Sequence, residues 1–325
     1  MSMFERARDW LIDRTASEFN DVDLAGAVTL VDLHLAPHNF TLNLITDYDA
    51  VNEAIRRGES VDQVSGRLQF EDVSTMLGIF RVHCRNLVNR NGVSDVNQGS
   101  DDRSKAPKIL AFLDALAADQ WLEFNNFEPL CRHYLQVARL RGDVYSRADI
   151  QSFEHALDLS NRLETLKSDE RKHAGILQGW VKVLRAIRGG VAYLKSFHFD
   201  ADRFHTYVNK NCRTYQGTLA ILRDYQKIRE VGPAVAANFF ADLGFREFCK
   251  PDAHVRKFVA RLIGEPVNEQ RTVEVMRRLS SESNVSVRQF DKVVFLAGSG
   301  KFYLCDRKLT GSSDERRESF VQALV

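Results

Sequence analysis

Residues 217–264 decide the fold of this chain, and they read, in turn, GTLAILRDYQKI, REVGP, AVAANFFADLGF, REFCKPD and AHVRKFVARLIG. The apolar residues on both sides of residues 229–233 follow helical spacing, and this break has room only for a tight hairpin. Proline is favoured in the first turn of a helix, where its missing N–H costs nothing, so a second helix is predicted to begin at Pro233. The segment is therefore predicted to form two helices joined by a hairpin, then a short loop and a third helix.

Helical periodicity extends over nearly the whole sequence. Val255, Phe258, Val259 and Leu262, for example, follow the i, i+3, i+4, i+7 rule. The chain of 325 residues contains only 18 glycines and 6 prolines, and it has no clear run of alternating apolar and polar residues. Few helix breakers favour long helices over a loop-rich β-sandwich. The predicted fold class is all-α, with about ten helices after residue 106.

One stretch is typical of a boundary between domains. Residues 97–107, NQGSDDRSKAP, combine Gly, Ser, Pro and charged residues without a large apolar side chain. We expect residues 1–100 to form a helical N-terminal region of unknown role and residues 106–325 to form a compact helical array. The latter contains the predicted hairpin (217–245) and an aspartate motif (250–264).

Composition excludes several classes of protein. No apolar run reaches the roughly 18 residues of a membrane-spanning helix, and the first residues, MSMFERARDW, lack the apolar core of a secretion signal. The five cysteines contain no C-x-x-C pair, which argues against a zinc ribbon or a redox dithiol. We therefore expect a cytoplasmic protein with no membrane association, whose cysteines are mostly buried.

Charge is unevenly distributed along the chain. The formal net charge of the whole chain is only +1. Residues 201–264 contain eleven Lys and Arg residues against six Asp and Glu residues, so this segment is more basic than the chain as a whole. A local excess of positive charge is expected of a module that faces DNA.

The hairpin and the aspartate motif resemble those of the helix-hairpin-helix DNA glycosylase superfamily, in its endonuclease-III-like branch. IREVG at 228–232 occupies the place of the family's hairpin, and PDAHV at 251–255 is similar to its aspartate motif. In that branch a catalytic lysine stands eighteen positions before the aspartate. The corresponding residue is Ala234, which is also the second residue after the hairpin glycine, where that lysine belongs.

The resemblance implies an enzyme that hydrolyses the N-glycosidic bond of a flipped base in double-stranded DNA and leaves an abasic site. Asp252 would be the catalytic residue, and without a lysine at 234 the enzyme would be monofunctional, with no β-lyase activity. Helix starts bind anions, so we expect the start of the second hairpin helix to hold DNA phosphate. The residues expected to contact the DNA backbone are Val231, Gly232, Ala234, Val235, Lys250, Arg256 and Lys257. His254 and Tyr215 are expected to have supporting roles.

No metal or organic cofactor is required, although the family's hairpin carbonyls can coordinate a monovalent cation. The chain is similar to bacterial antiphage glycosylases that excise glucosylated hydroxymethylcytosine from phage DNA. Alkylated, oxidised or deaminated bases are the alternative substrates. Three features depart from the family pattern: Arg229 and Glu230 replace the first proline and glycine of the hairpin, and an iron–sulfur cysteine cluster is absent from the sequence. These features, together with Ala234, equally fit a non-catalytic DNA-binding protein.

Simpler interpretations apply to several of these residues. Asp252 precedes an amphipathic helix and would also serve as its N-cap. The lysines and arginines at 250–257 would also form an ordinary solvated cluster. Phe239 and Phe240 have the spacing of core residues. Ser286 and Gln289 are predicted to form a capping box before a helix that ends at Gly298. The sequence GSGK at 298–301 lacks the flanking residues of a phosphate-binding loop and is predicted to be the end of that helix.

Overall fold

The computed structural model describes residues 1–36, 48–65, 72–90, 178–302, 304–305 and 307–325. The predicted boundary at 97–107 lies outside these residues. Within the described parts the chain forms thirteen helices and one pair of two-residue strands. The prediction of an all-α fold is confirmed, while the more specific glycosylase-like arrangement stays a prediction.

The helices are, in chain order, α1 (Met3–Glu18), α2 (Leu24–Leu35), α3 (Tyr48–Arg56), α4 (Val61–Ser65), α5 (Met76–Arg90), α6 (Gln178–Lys195), α7 (Ala201–Asn211), α8 (Tyr215–Tyr225), α9 (Pro233–Asp242), α10 (Ala253–Ile263), α11 (Glu269–Glu282), α12 (Val287–Ser299) and α13 (Ser313–Leu324). Strands β1 (Lys301–Phe302) and β2 (Arg307–Lys308) pair antiparallel between α12 and α13. The predicted helix, hairpin, helix, loop and third helix of residues 217–264 correspond to α8, α9 and α10. The second hairpin helix begins at Pro233, as predicted.

Local sequence sets the helix ends. The predicted capping box before α12 is present: the Ser286 hydroxyl accepts a hydrogen bond from the Gln289 N–H, and the Gln289 side chain accepts one from the Ser286 N–H. The prediction that Gly298 ends this helix is wrong by two residues. Gly300 caps α12 instead, at φ +68°, a left-handed conformation that glycine adopts without steric cost.

The described structure divides into two compact units. The first unit comprises Met1–Phe70, Asn211–Leu222 and Ala236–Val325. Helix α1 packs against α2, α12 and α13, and α10 packs against α11, α12 and α13. The core of this unit contains fully buried Leu11, Leu33, Phe290 and Phe320, so helices from both ends of the chain share one apolar interior.

The second unit comprises Glu71–Lys210 and Arg223–Val235. Helices α5 and α6 pack closely, since a Cβ atom added to Gly190 would lie only 2.1 Å from Nε2 of His83. The buried imidazole of His83 contacts the Tyr225 hydroxyl through Nδ1 and the Ala186 carbonyl through Nε2, at 3.0 Å from the latter. A carbonyl only accepts, so Nε2 carries the proton and Nδ1 accepts from the tyrosine.

This division differs in outline from the expected regions 1–100 and 106–325. Residues of α1 and α2 belong to the same unit as α10–α13. The turn between α8 and α9 belongs to the second unit, and the aspartate motif belongs to the first. The composition of the sequence does not predict this division into units, because the core into which the N-terminal helices pack is completed by a segment far away in sequence.

Candidate functional site

Asp252 is the N-cap of α10. Its backbone is extended (φ −81°, ψ −178°), and its Oδ1 accepts hydrogen bonds from the N–H groups of His254 (2.9 Å) and Val255 (3.1 Å). The capping role predicted for this residue is therefore confirmed. A carboxylate at this position is also stabilised by the partial positive charge of the helix start.

The second oxygen of Asp252 pairs with Lys250. The distance from Nζ of Lys250 to Oδ2 of Asp252 is 3.0 Å, and the two side chains are 20% and 14% exposed. The same ammonium group lies 5.3 Å from the centre of the Phe295 ring. Lys250 was expected to bind DNA phosphate; in the structure its charge is directed at the carboxylate of the aspartate motif.

The surroundings of Asp252 keep it ionised. Burial acts to raise the pKa of its carboxyl group, but the charge of Lys250 and the N–H of Val255 act in the opposite direction and prevail. The net effect lowers the pKa below the ordinary value of 3.8. At neutral pH this group is an anion, suited to stabilising positive charge or to orienting a water molecule and unsuited to donating a proton.

His254 lies half-buried between α10 and α12. Its Nδ1 atom is buried and has no hydrogen-bond partner among the described residues, and its ring meets Phe295 edge-on at 5.7 Å between centres. A Cβ atom added to Gly298 would lie 3.1 Å from this nitrogen, so the glycine gives the ring its room. Burial lowers the pKa of His254, which favours a neutral imidazole beside Asp252.

A buried ionic network underlies the loop before Asp252. The Arg288 guanidinium donates to Oδ2 of Asp291 at 2.8 Å and to Oδ1 of Asp242 at 3.0 Å, and all three side chains are at most 6% exposed. Oδ1 of Asp291 accepts the backbone N–H of Lys250 at 3.2 Å. The network thus anchors the residue whose ammonium group pairs with Asp252.

Sequence reasoning missed Asp291, Phe295 and Gly298 as parts of this site. They lie on α12, and nothing in the motif at 251–255 points to that helix. The available signal was a pair of opposite charges three residues apart, Arg288 and Asp291, in a well-capped helix, because buried charges occur in paired form.

The remaining cations of the aspartate motif are exposed. Arg256 and Lys257 lie side by side in the first turns of α10. The Arg256 guanidinium makes a long hydrogen bond, 3.4 Å, to the carbonyl of Val267. Both side chains are exposed, and their contact with the DNA backbone stays a prediction.

The turn between α8 and α9 contains a strained residue. Glu230, in the place of the family's first hairpin glycine, has φ +71°, whereas Gly232 does not have a positive φ. The turn is closed by a hydrogen bond from the Val231 N–H to the Ile228 carbonyl at 3.1 Å. The turn therefore takes the backbone conformation for which glycine is preferred, without having glycine.

The charge of Glu230 is neutralised within the same unit. Its Oε1 lies 3.3 Å from Nη1 of Arg185, with side-chain exposures of 24% and 15%. The repulsion of phosphate that this carboxylate would exert is thereby reduced. The exposed cations at this turn are Arg223, near the end of α8, and Lys227 and Arg229, which follow that helix. Lys227 pairs with Asp224 at 2.7 Å.

The other residues expected at the DNA-binding turn lie at the start of α9. Val231 is buried, and Gly232, Ala234 and Val235 are half-buried. Tyr215, expected to support the site by stacking, packs against the core of the first unit and donates its hydroxyl hydrogen to the Gln270 carbonyl at 3.2 Å. This tyrosine is therefore engaged in joining α8 to α11.

The predictions for the remaining motifs are confirmed. Phe239 and Phe240 are fully buried, with ring centres 5.0 Å apart, and serve as packing residues. The GSGK sequence at 298–301 forms the end of α12 and the first residue of β1, as expected of a helix end.

Within the described residues, no group of three or more His, Cys, Asp or Glu side chains is placed to hold a metal ion. In the hairpin, the Ile228 carbonyl accepts the Val231 N–H, and the possible binding of a monovalent cation by the hairpin carbonyls stays a prediction. Among the described helices, none is long and apolar enough to cross a membrane.

We compared the chain with protein-family models, with curated proteins and with solved structures, and none of the three comparisons finds a match. The assignment of roles to these residues therefore depends on their chemistry and on the motif resemblance alone.

Proposed function

We propose that this protein is a monofunctional DNA glycosylase that hydrolyses the N-glycosidic bond of a modified base turned out of the duplex. The observation that carries the proposal is the state of Asp252: a carboxylate held ionised at a helix start, still partly exposed, and fixed through both of its oxygens. An ionised, oriented carboxylate is the group that the developing positive charge of a deoxyribose ring requires.

In the proposed reaction, the bond between C1′ of the sugar and the base breaks, and the base leaves with the bonding electron pair. Asp252 stabilises the resulting cation and orients a water molecule, whose oxygen forms the new bond to C1′. The water proton is released, and the departing base takes up a proton from solvent. Because residue 234 is alanine, no amine at that position can form a Schiff base with the sugar.

DNA binding is proposed to use two surfaces, one in each unit. One is the turn before α9, where a helix start and the exposed Arg223, Lys227 and Arg229 favour phosphate. The other is the start of α10, with exposed Arg256 and Lys257. Extruding a base costs a few kcal/mol, and a modified or poorly paired base costs less, so modified DNA is the preferred substrate class.

For the base itself, we propose α-glucosylated hydroxymethylcytosine of phage DNA, which would give the protein a role in antiviral defence in the cytoplasm. Alkylated, oxidised and deaminated bases are the alternative substrates, and they would place the enzyme in base-excision repair. Mass spectrometry of the bases released from modified phage DNA and from damaged duplexes distinguishes these possibilities.

The test of catalysis uses Asp252→Asn, because asparagine caps a helix as well as aspartate does but lacks the charge. Purified protein is incubated with modified duplex DNA, and abasic sites are then cleaved with alkali. We expect the wild type to produce breaks, and D252N to produce them at least about 100-fold more slowly. We also expect no borohydride-trapped adduct for the wild type.

The matched control separates chemistry from folding. Asp252→Ala removes both the charge and the cap, so it should lose activity and also about 1 kcal/mol of stability, whereas D252N should lose activity with a smaller change in stability. Equal activity of D252N and wild type would contradict a catalytic role for this carboxylate.

A second candidate function is a DNA-binding protein without catalysis. One observation favours it: the contacts of Asp252 with two N–H groups and with Lys250 would stabilise the start of α10 in a protein that performs no chemistry. This protein would bind duplex DNA and would release no base from any of the modified substrates.

A further inference from the structure

We propose that Lys250 is a positioning residue of this site: its ammonium group fixes the ionised Asp252 carboxylate in the orientation that faces the reacting sugar. The inference deepens the proposed glycosylase function and rests on it. No motif at 228–232 or 251–255 assigns such a role to residue 250.

The two carboxylate oxygens of Asp252 have different partners. Oδ1 of Asp252 accepts the N–H groups of His254 and Val255, and Oδ2 lies 3.0 Å from Nζ of Lys250. Each oxygen of a carboxylate has two lone pairs, so Oδ2 can accept from the ammonium group and still interact with a sugar or a water molecule. The lysine removes the remaining rotational freedom of the carboxylate.

The backbone that joins Lys250 and Asp252 has little conformational freedom. Pro251, buried and with its φ angle fixed by its ring, separates Lys250 from Asp252. The Asp252 N–H donates to the Lys250 carbonyl at 2.7 Å, which closes a tight turn. Both side chains therefore start from a backbone with few alternative conformations.

Lys250 is itself held in place at both ends. Its N–H donates to Oδ1 of Asp291, which is held by the buried guanidinium group of Arg288. Its ammonium group lies over the ring of Phe295, a favourable position for a cation. A lysine fixed at its backbone and near its charged end loses less conformational entropy when it pairs with Asp252 than a mobile surface lysine would.

Several other charged groups lie around Asp252. On α10 itself these are His254, whose pKa is lowered by burial, and exposed Lys257, which acts on His254. Helix α12 contributes Asp291, whose charge opposes ionisation of Asp252, and Arg288, which pairs with Asp291. Helix α13 contributes Arg317, which acts on His254.

Helix α11 also packs against α10, and among the described residues it contributes no charged group to the interactions of Asp252. Of all these cations, Lys250 is the one in direct contact with the carboxylate. Its charge is therefore the natural origin of the lowered pKa of Asp252.

The experiment measures the pH dependence of kcat/KM for base release by the full chain carrying Lys250→Met or, as a second neutral variant, Lys250→Gln. An adjacent cation lowers a carboxyl pKa by about 1 unit or more, so the acid limb of the profile should move up by about 1 pH unit in both variants. Lys250→Arg, which keeps the charge, should keep the acid limb near its wild-type position.

Lys308→Met is the control for loss of one positive charge, because Lys308 is an exposed lysine of the same unit, on β2 and outside the proposed site. It should leave the profile unchanged. The Asp252 carboxyl group is titrated in parallel by carbon-13 NMR, which needs no activity and should show the same upward shift in K250M.

The outcomes are distinguishable. If the carboxyl titration and the acid limb of K250M both match those of the wild type, the positioning role is overturned even though the glycosylase function stands. If the carboxyl pKa rises but wild-type protein releases no base, the ion pair stands, while the proposed function and the role of Lys250 in it are both overturned.

Discussion

At the scale of single residues, the turn before α9 has a positive φ angle at a residue that is not glycine. Glu230 adopts φ +71°, and Gly232 two residues later does not have a positive φ. A left-handed conformation costs a residue with a Cβ atom about 1–2 kcal/mol. The turn therefore keeps a conformation that is unfavourable for its own sequence, and Arg185 offsets part of this cost by pairing with Glu230.

We predict opposite preferences at these two positions. Glu230→Gly and Glu230→Ala both remove the ion pair, so their difference reports the backbone alone, and E230G should be more stable by about 1 kcal/mol. Gly232→Ala should cause no loss of stability, because a Cβ atom there meets no atom within 4 Å. Urea denaturation of the three variants measures both effects, and equal stability of E230G and E230A would mean that residue 230 is not left-handed in solution.

The sequence was sufficient to predict some residues of the site and insufficient for others. The N-cap role of Asp252 follows from a local pattern, an aspartate just before an amphipathic helix, and it is present in the structure. The partner of Asp252 was not predicted, because whether Lys250 turns toward the carboxylate or toward solvent depends on Phe295 and Asp291, about forty residues later. Local rules find caps, whereas contacts between helices need the fold.

At the scale of elements, one arginine holds the end of α12 to the loop before α13. Nη1 of Arg316 donates to the carbonyls of Leu309, Thr310 and Gly311, and Nη2 donates to those of Gly298 and Ser299. The last carbonyls of a helix have no partner within it, so this guanidinium group satisfies groups that would otherwise be buried and unpaired.

We predict that Arg316→Lys destabilises the first unit by about 2 kcal/mol or more. An ammonium group cannot reproduce a planar set of donors that serves five carbonyls, and a lost charged hydrogen bond costs about 1.5–3 kcal/mol. Urea denaturation followed by the fluorescence of Trp10, whose ring packs against Phe320 of α13, reports the change.

Arg261→Lys is the matched control for R316K. Arg261 is about 41% exposed on α10 and pairs with Glu318, so its replacement by lysine should change stability by well under 1 kcal/mol. If both variants lose the same free energy of unfolding, the proposed importance of Arg316 is contradicted.

The end of α12 also shows why element boundaries were harder to predict than element types. Gly298 and Gly300 both follow the last apolar residues of the helix, and either is a suitable stop by composition. The structure uses Gly300 as the cap and keeps Gly298 helical beside the His254 ring. The choice depends on a neighbouring helix, which periodicity along one helix does not describe.

At the scale of the whole molecule, each unit contains a buried neutral histidine. In the first unit, Nδ1 of His34 lies 2.8 Å from the Leu30 carbonyl and Nε2 accepts the N–H of Leu304 at 3.1 Å. In the second unit, His83 makes the corresponding pair of contacts with Ala186 and Tyr225. Burial lowers the pKa of His34 to about 3 and that of His83 to about 4.

We predict that both units lose stability as the pH falls from about 6.5 toward 4. In that range the unfolded chain protonates both imidazoles, whose ordinary pKa is 6.5, while the folded chain does not. The contribution of the two histidines to folding stability is therefore complete above pH 6.5 and decreases as the pH falls. Nitrogen-15 NMR should show neutral imidazoles for His34 and His83 at pH 5, and an imidazolium at either position would contradict the prediction.

In the first unit, a buried carboxyl group acts against this loss of stability. Burial raises the pKa of Asp291 to about 6, from an ordinary value of 3.8, so the folded state binds this proton more readily than the unfolded state. Its contribution to stability is complete below 3.8 and is lost as the pH rises through 6, which opposes the effect of His34. Hydrogen exchange of α5 and α12, corrected for intrinsic rates, compares the units between pH 7 and 5.

The first unit joins helices from both ends of the chain, and this has a consequence for biosynthesis. The Arg6 guanidinium donates to the Leu324 carbonyl, 318 positions later, and α1 packs on α12 and α13. At roughly 5–20 residues per second, a ribosome would need about a quarter of a minute to a minute to deliver those partners. Until then the apolar face of α1 that packs on α12 and α13 emerges without these partners, so we expect the nascent chain to be bound by chaperones that shield such faces.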